Sequence, residues 1–174
     1  MRRATIILLL LTACKSYEPD LTNKKDSVLI KDHTIASPRI IVSKGERISI
    51  NSTAEKFEKN TNEDGLLTGN VVADFFDENG NHMSILYSDS AIINEISNNF
   101  QAFGHVQVIS DSGLVLTTSE IIWDNRYKMV VSHDSVMFTT ENLDTLYGVG
   151  FESDVDLSHY TILKPTGVTG RGFK

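Results

Sequence analysis

The chain has 174 residues, enough for one domain with a real core. An apolar fraction of 40% and only three prolines exclude a low-complexity chain. A net charge of −7, from 16 Lys and Arg against 23 Asp and Glu, speaks against nucleic acid, whose binding rests on neutralising phosphates.

Arg2 and Arg3 precede the apolar run Ala4 to Leu11, a charged segment followed by a stretch too short to span a bilayer. Leu11-Thr12-Ala13-Cys14 then closes the run and resembles a bacterial lipobox, in which the cysteine is acylated and becomes the first residue. Cys14 is the single cysteine, so no internal disulfide is available, and compartment is read from this N-terminus. Residues 1–13 are therefore expected to be a lipoprotein signal peptide. Residues 14–37 are expected to be a lipid anchor and flexible tether, and 38–174 a β domain. Acyl chains on Cys14 would hold the membrane at ~0.8 kcal/mol per buried CH₂.

Beyond the tether, Ile40-Ile41-Val42 is a short apolar run, and Ser43-Lys-Gly45 signals a hairpin. Ile48 and Ile50 alternate with polar residues, the period of a half-buried strand. Asn60 to Gly65 is turn-forming. Val71, Ala73 and Phe75 share one face of the next strand, and Asp77 to Asn81 turns the chain. Met83, Ile85 and Tyr87 return, and Ala91 to Ile93 adds a short strand.

The central stretch Phe100 to Asp124 reads as strand, turn, strand, kink, strand. Val106 and Val108 alternate with polar neighbours, Asp111-Ser112-Gly113 turns, and Leu116, Ile121 and Trp123 follow. The same phrase recurs about every thirty residues: Leu86 to Asn94, Leu116 to Asp124, Leu146 to Asp154. Such a period marks a repeated supersecondary unit whose stacked copies bury one continuous face. Met129 to Val131, Val136 to Phe138 and Thr145 to Tyr147 continue the series. Tyr160-Thr161-Ile162-Leu163 is expected to be the last strand, before a Gly-rich tail from Pro165 to Lys174. Ten to fourteen short strands and no capped helical stretch give an all-β fold. An elongated twisted β-jelly roll, open at both edges, fits better than an immunoglobulin sandwich.

Enzyme chemistry finds little support. The histidines at 33, 82, 105, 133 and 159 are scattered, and no G-x-S-x-G occurs. No catalytic residue, metal or cofactor is expected.

Several phrases together carry a family resemblance: Gly45 with Ala54-Glu-Lys-Phe57, Phe103-Gly-His-Val-Gln-Val108, Leu116-Thr-Thr-Ser-Glu-Ile121, and Asp144-Thr-Leu-Tyr-Gly148 with Phe151. In order and spacing they are similar to the LptC family of lipopolysaccharide export, over roughly residues 38–162. LptA shares the repeat and fold. The resemblance implies an OstA-like jelly roll in the periplasm that binds lipopolysaccharide acyl chains. It would take the lipid from an inner-membrane ABC transporter and hand it to an LptA-like bridge protein. Better-known members hold the membrane with a helix; here acylated Cys14 would replace it, at the inner membrane or, by lipoprotein sorting, the outer.

On this basis Val71, Ala73, Phe75, Val106, Val108, Leu116, Ile121, Trp123, Val136 and Phe138 are the expected lining of a lipid groove. Ile40, Ile41 and Val42 would form the transporter-facing edge. Gly148, matching a family motif and expected to mark a bulge, would join Tyr160, Thr161, Ile162 and Leu163 at the bridge-protein edge. The competing expectation is a structural envelope lipoprotein that scaffolds a complex through its sheet edges and binds no lipid.

Overall fold

A computed structural model describes residues 33–169, apart from 62 and 143. It holds eleven strands: β1 (His33–Ala36), β2 (Arg39–Lys44), β3 (Arg47–Thr53), β4 (Lys56–Lys59), β5 (Gly65–Phe76), β6 (His82–Ile93), β7 (Phe100–Ser110), β8 (Val115–Asp124), β9 (Met129–Thr139), β10 (Thr145–Asp154) and β11 (Tyr160–Thr169). All pairings are antiparallel, and from β5 to β11 each strand lies beside the next. The expected signal peptide, the expected lipobox with Cys14 and most of the expected tether lie outside the described residues.

The first four strands follow the same meander with a break in it. β4 runs along the start of β5, with Lys56 opposite Thr68, and β3 along its end, with Thr53 opposite Val72. β1 pairs with β4 and β2 with β3. So β1–β2 and β3–β4 are each one strand path interrupted midway, at Ser37-Pro38 and Ala54-Glu55. Backbone bonds carry the line of interruption across: Ser37 N–H donates to the Glu55 carbonyl (2.8 Å), and Glu55 N–H to that of Gly69 (2.9 Å).

The line continues as a crease through the long strands. Register shifts fall between Thr68 and Val71, Tyr87 and Ser90, Phe103 and Val106, Thr117 and Ile122, and Val149 and Phe151. A bulge of this kind bends a strand and re-aims its side chains. Here it keeps apolar residues pointing inward on both sides of the bend. In β6, β8 and β10 the inward residues step by three across the crease, from Ser88 to Ala91, Thr118 to Ile121 and Gly148 to Phe151. In β5, β7 and β9 they step by four, from Leu67 to Val71, Ala102 to Val106 and Ser132 to Val136. The thirty-residue repeat is this geometry: one bent hairpin per period.

The sheet thus folds across its middle, and its two halves face each other. One half, here the β4 half, holds β1, β4 and the strand segments on their side of the crease. The other, the β3 half, holds β2, β3 and the remainder. Phe75 of the β3 half meets Phe100 edge-on at 6.1 Å and Trp123 at 5.7 Å, both from the β4 half. Phe138 meets Phe151 at 5.4 Å and Tyr160 at 4.2 Å in the same way. Each buried ring of this set, Phe75, Phe100, Trp123, Phe138 and Phe151, stabilises the fold by about 1.5–3 kcal/mol on leaving water.

Three boundaries differ from the sequence reading. His33–Ala36, expected to be tether, forms β1, because its carbonyls and amides find β4. Seven strands are ten to twelve residues long where pairs of short ones were expected; the phase jump at each bulge resembles a break. The last strand runs on to Thr169 with Pro165 inside it, opposite Gly148. An edge strand tolerates that proline, because its missing N–H faces no partner.

Candidate functional site

The gap between the two halves is the candidate site, with the crease as its back wall. Two strained dipeptides build the crease. Gly69-Asn70 and Gly104-His105 all adopt left-handed backbone, with φ of 78°, 45°, 72° and 42°. A carboxylate from the preceding strand path lies over each pair. Glu55 accepts from Asn70 Nδ2 at 2.5 Å, and Asp89 Oδ2 lies 2.7 Å from His105 Nδ1. An added Cβ at Gly69 would sit 2.5 Å from Glu55 Oε2, and one at Gly104 would overlap Asp89. Further along, Ser119 donates to Asp134 at 2.6 Å, and Thr118 Oγ1 lies 3.0 Å from Ser132 Oγ. Glycine is needed where strand and carboxylate approach this closely. The Gly-Asn and Gly-His pairs are the sequence signal for the crease, which the sequence reading did not use.

All ten residues expected to line a lipid groove project into the gap from both halves. They are 0–4% exposed, packed against one another. Among the described residues, three buried side-chain polar atoms have no partner: Ser84 Oγ, Thr140 Oγ1 and Trp123 Nε1. A buried donor left without an acceptor costs about 1–3 kcal/mol.

Two cavities open where the halves part at the mouth, opposite the crease. One of about 420 Å³ lies between Arg47, Phe76 and Met83 of the β3 half and Lys128, Asp154 and Val155 of the β4 half. The other, of about 290 Å³, lies between Ile40, Ile41 and Val42 of β2 and Phe57, Ile93 and Asn98. The sequence reading missed Arg47 and Val155, because nothing local places a hairpin residue opposite a distant turn.

Polar braces at the mouth stay within one half. In the β3 half, Arg39 donates to Asn51 (2.7 Å), Asn51 to Asp74 (3.1 Å), and His82 Nδ1 lies 2.7 Å from Asp111. In the β4 half, Asn94 donates to Asp64 (2.9 Å), Lys59 pairs with Glu95, and Asn125 N–H donates to Asn99 (3.1 Å). Asp154 accepts from His159 N–H (3.1 Å) and Ser158 Oγ (3.0 Å), with His159 Nδ1 at 2.6 Å. Partial burial raises the Asp154 pKa, but hydrogen bonding with Asp156, His159 and Ser158 outweighs it and holds the group at about 2. Asp77 is lowered in the same direction, chiefly by bonds from Asn81, as the cap of an ordinary hairpin turn.

Among the described residues, the sheet has free edges on both sides. There, β2 pairs only with β3 and β1 only with β4, leaving Ile40, Ile41 and Val42 on an open edge. β11, with Tyr160, Thr161, Ile162 and Leu163, pairs only with β10. Gly148 marks a bulge between them. A Cβ there would overlap Ile162 and lie 2.8 Å from the Lys164 carbonyl oxygen.

A profile of the OstA-like protein family matches residues 40–161, most of the folded chain. The chain belongs to the OstA-like family. Its bent, open, all-antiparallel sheet is consistent with the β-jelly roll of that family. OstA-like proteins are periplasmic transport and binding components of the lipopolysaccharide pathway rather than enzymes. No curated protein matches the chain in sequence. Among the described residues, no helix is long and apolar enough to cross a membrane.

Proposed function

We propose that this OstA-like protein is the LptC-type component of lipopolysaccharide export. It would accept lipopolysaccharide from an inner-membrane ABC transporter at the β2 edge and pass it to an LptA-like bridge protein at the β11 edge. Acylated Cys14 would keep it at the membrane. Two edges left open among the described residues, on opposite sides of one sheet, suit this role, since each can add a partner's strand.

The carrying observation is the construction of the gap. Two apolar faces, each braced within itself, meet through ring contacts and a Trp123 N–H that lacks an acceptor. Parting them about the crease breaks none of the braces named above. Acyl chains entering between them would regain ~0.8 kcal/mol per CH₂ and offset the lost ring contacts. A phosphate or ester oxygen of the lipid would satisfy Trp123.

The scaffold reading draws on a different observation, the near-complete burial of the ten inward residues against one another. Protein lacking residues 1–14, purified from cells that make lipopolysaccharide, separates the two. A carrier brings down lipopolysaccharide in near-stoichiometric amount. Lipid-free protein that still captures the bridge protein supports the scaffold.

A further inference from the structure

Two large apolar side chains stand out on the surface. Ile96 is 95% exposed and Tyr127 is 65% exposed. Both sit at the mouth end of the β4 half, on the neighbouring β6–β7 and β8–β9 turns. Asn125 ties the turns together, donating from N–H to Asn99 Oδ1 at 3.1 Å and from Nδ2 to the Ser97 carbonyl at 3.4 Å. Each turn also satisfies its own amides. Asn94 Oδ1 accepts from the N–H of Ile96 (3.1 Å) and Ser97 (2.8 Å), and Asp124 Oδ1 from that of Arg126 (2.8 Å) and Tyr127 (3.2 Å). The two side chains are therefore held outward on braced turns whose backbone asks little of water.

The charges at this tip are balanced and occupied. Glu95 pairs with Lys59, and Asp124 caps its own turn. The Arg126 guanidinium lies 5.4 Å from the Tyr127 ring centre, and Lys128 Nζ lies 4.9 Å from that of Trp123. On a chain of net charge −7, the two turns carry two cations and two carboxylates. The corresponding β5–β6 and β7–β8 turns of the other half, Asp77 to Asn81 and Asp111 to Gly113, hold only polar residues and glycine.

We propose that this tip is a bilayer-docking surface that sets the mouth of the gap against a zwitterionic membrane. Ile96 enters the acyl boundary, while Tyr127 and Arg126 sit at headgroup level, where an amphipathic ring and a snorkelling cation are both at home. Excess negative charge elsewhere on the chain selects zwitterionic over anionic lipid. Lys128 on one side and Asn98 on the other line the two mouth cavities, so docking brings both openings to the lipid. The proposal is independent of acylation at Cys14 and of the identity of the cargo.

Nitroxide labels at Ile96→Cys, Tyr127→Cys and Asn79→Cys, each in the full chain carrying Cys14→Ser, test it on palmitoyl-oleoyl-phosphatidylcholine vesicles. Labels at 96 and 127 should be more accessible to oxygen than to an aqueous nickel chelate, and the label at 79 the reverse. Water-like accessibility at 96 and 127 overturns the proposal, and so does protection from both reagents, which would mean a protein partner. As a second readout, the double variant Ile96→Ser, Tyr127→Ser should partition onto these vesicles about tenfold more weakly with unchanged circular dichroism. Equal partitioning would contradict the docking role.

Discussion

Gly104 is where the crease is least forgiving. Its φ of +72° suits glycine, and the Asp89 carboxylate occupies the place of a Cβ. Gly104→Ala should lower stability by about 1–3 kcal/mol in urea unfolding. Gly167→Ala, with open space and no left-handed backbone, should be close to neutral. Asp154 offers a pH test. Its folded pKa of about 2 lies below the model-compound value of 3.8, so its contribution is fully present above pH 3.8 and fades as pH falls toward 2. The melting temperature of Asp154→Asn should therefore trail the parent at pH 6 and converge on it near pH 2. Trp123→Phe removes the orphaned N–H, so the fold should lose little or gain slightly. Lipopolysaccharide retention should nevertheless fall several-fold. Unchanged retention would mean that the donor faces no cargo.

At the scale of strands, the sequence carried most of the pattern. Alternation at Val106-Val108 and Leu116, and the three-residue step from Leu116-Thr118 to Ile121, displayed both the strand and its bend, since a side-chain parity change has few other causes. The same step made β6 look like two strands, because a bulge and a turn leave similar marks in one sequence. β1 was not legible: His33–Ala36 is exposed throughout and shows no alternation, so only its pairing to β4 makes it a strand. The mouth was not legible either, because Arg47 and Val155 meet only once the sheet has folded. Gly148 was read as a bulge, and the structure adds what it spares, the Lys164 carbonyl of the edge strand. Gly148→Ala should loosen β11 selectively. Hydrogen exchange should quicken at Tyr160 to Val168 while β5 to β8 keep their protection; uniform loss of protection would point to global unfolding instead.

For the molecule as a whole, the ten inward residues were legible as one face, but not whether that face is a core or a conduit. Alternation fixes which side a residue takes, and a sealed interior and a lipid channel demand the same side. The two differ only in whether the halves separate around cargo. A photo-crosslinking residue at Val106, inward and buried, compared with one at Gln107, its outward neighbour on β7, asks this directly during ATP-driven export. The lipid-carrier account predicts a lipopolysaccharide adduct at position 106 and none at 107. Silence at 106 in a folded, complex-forming protein, or equal labelling at both positions, would contradict it.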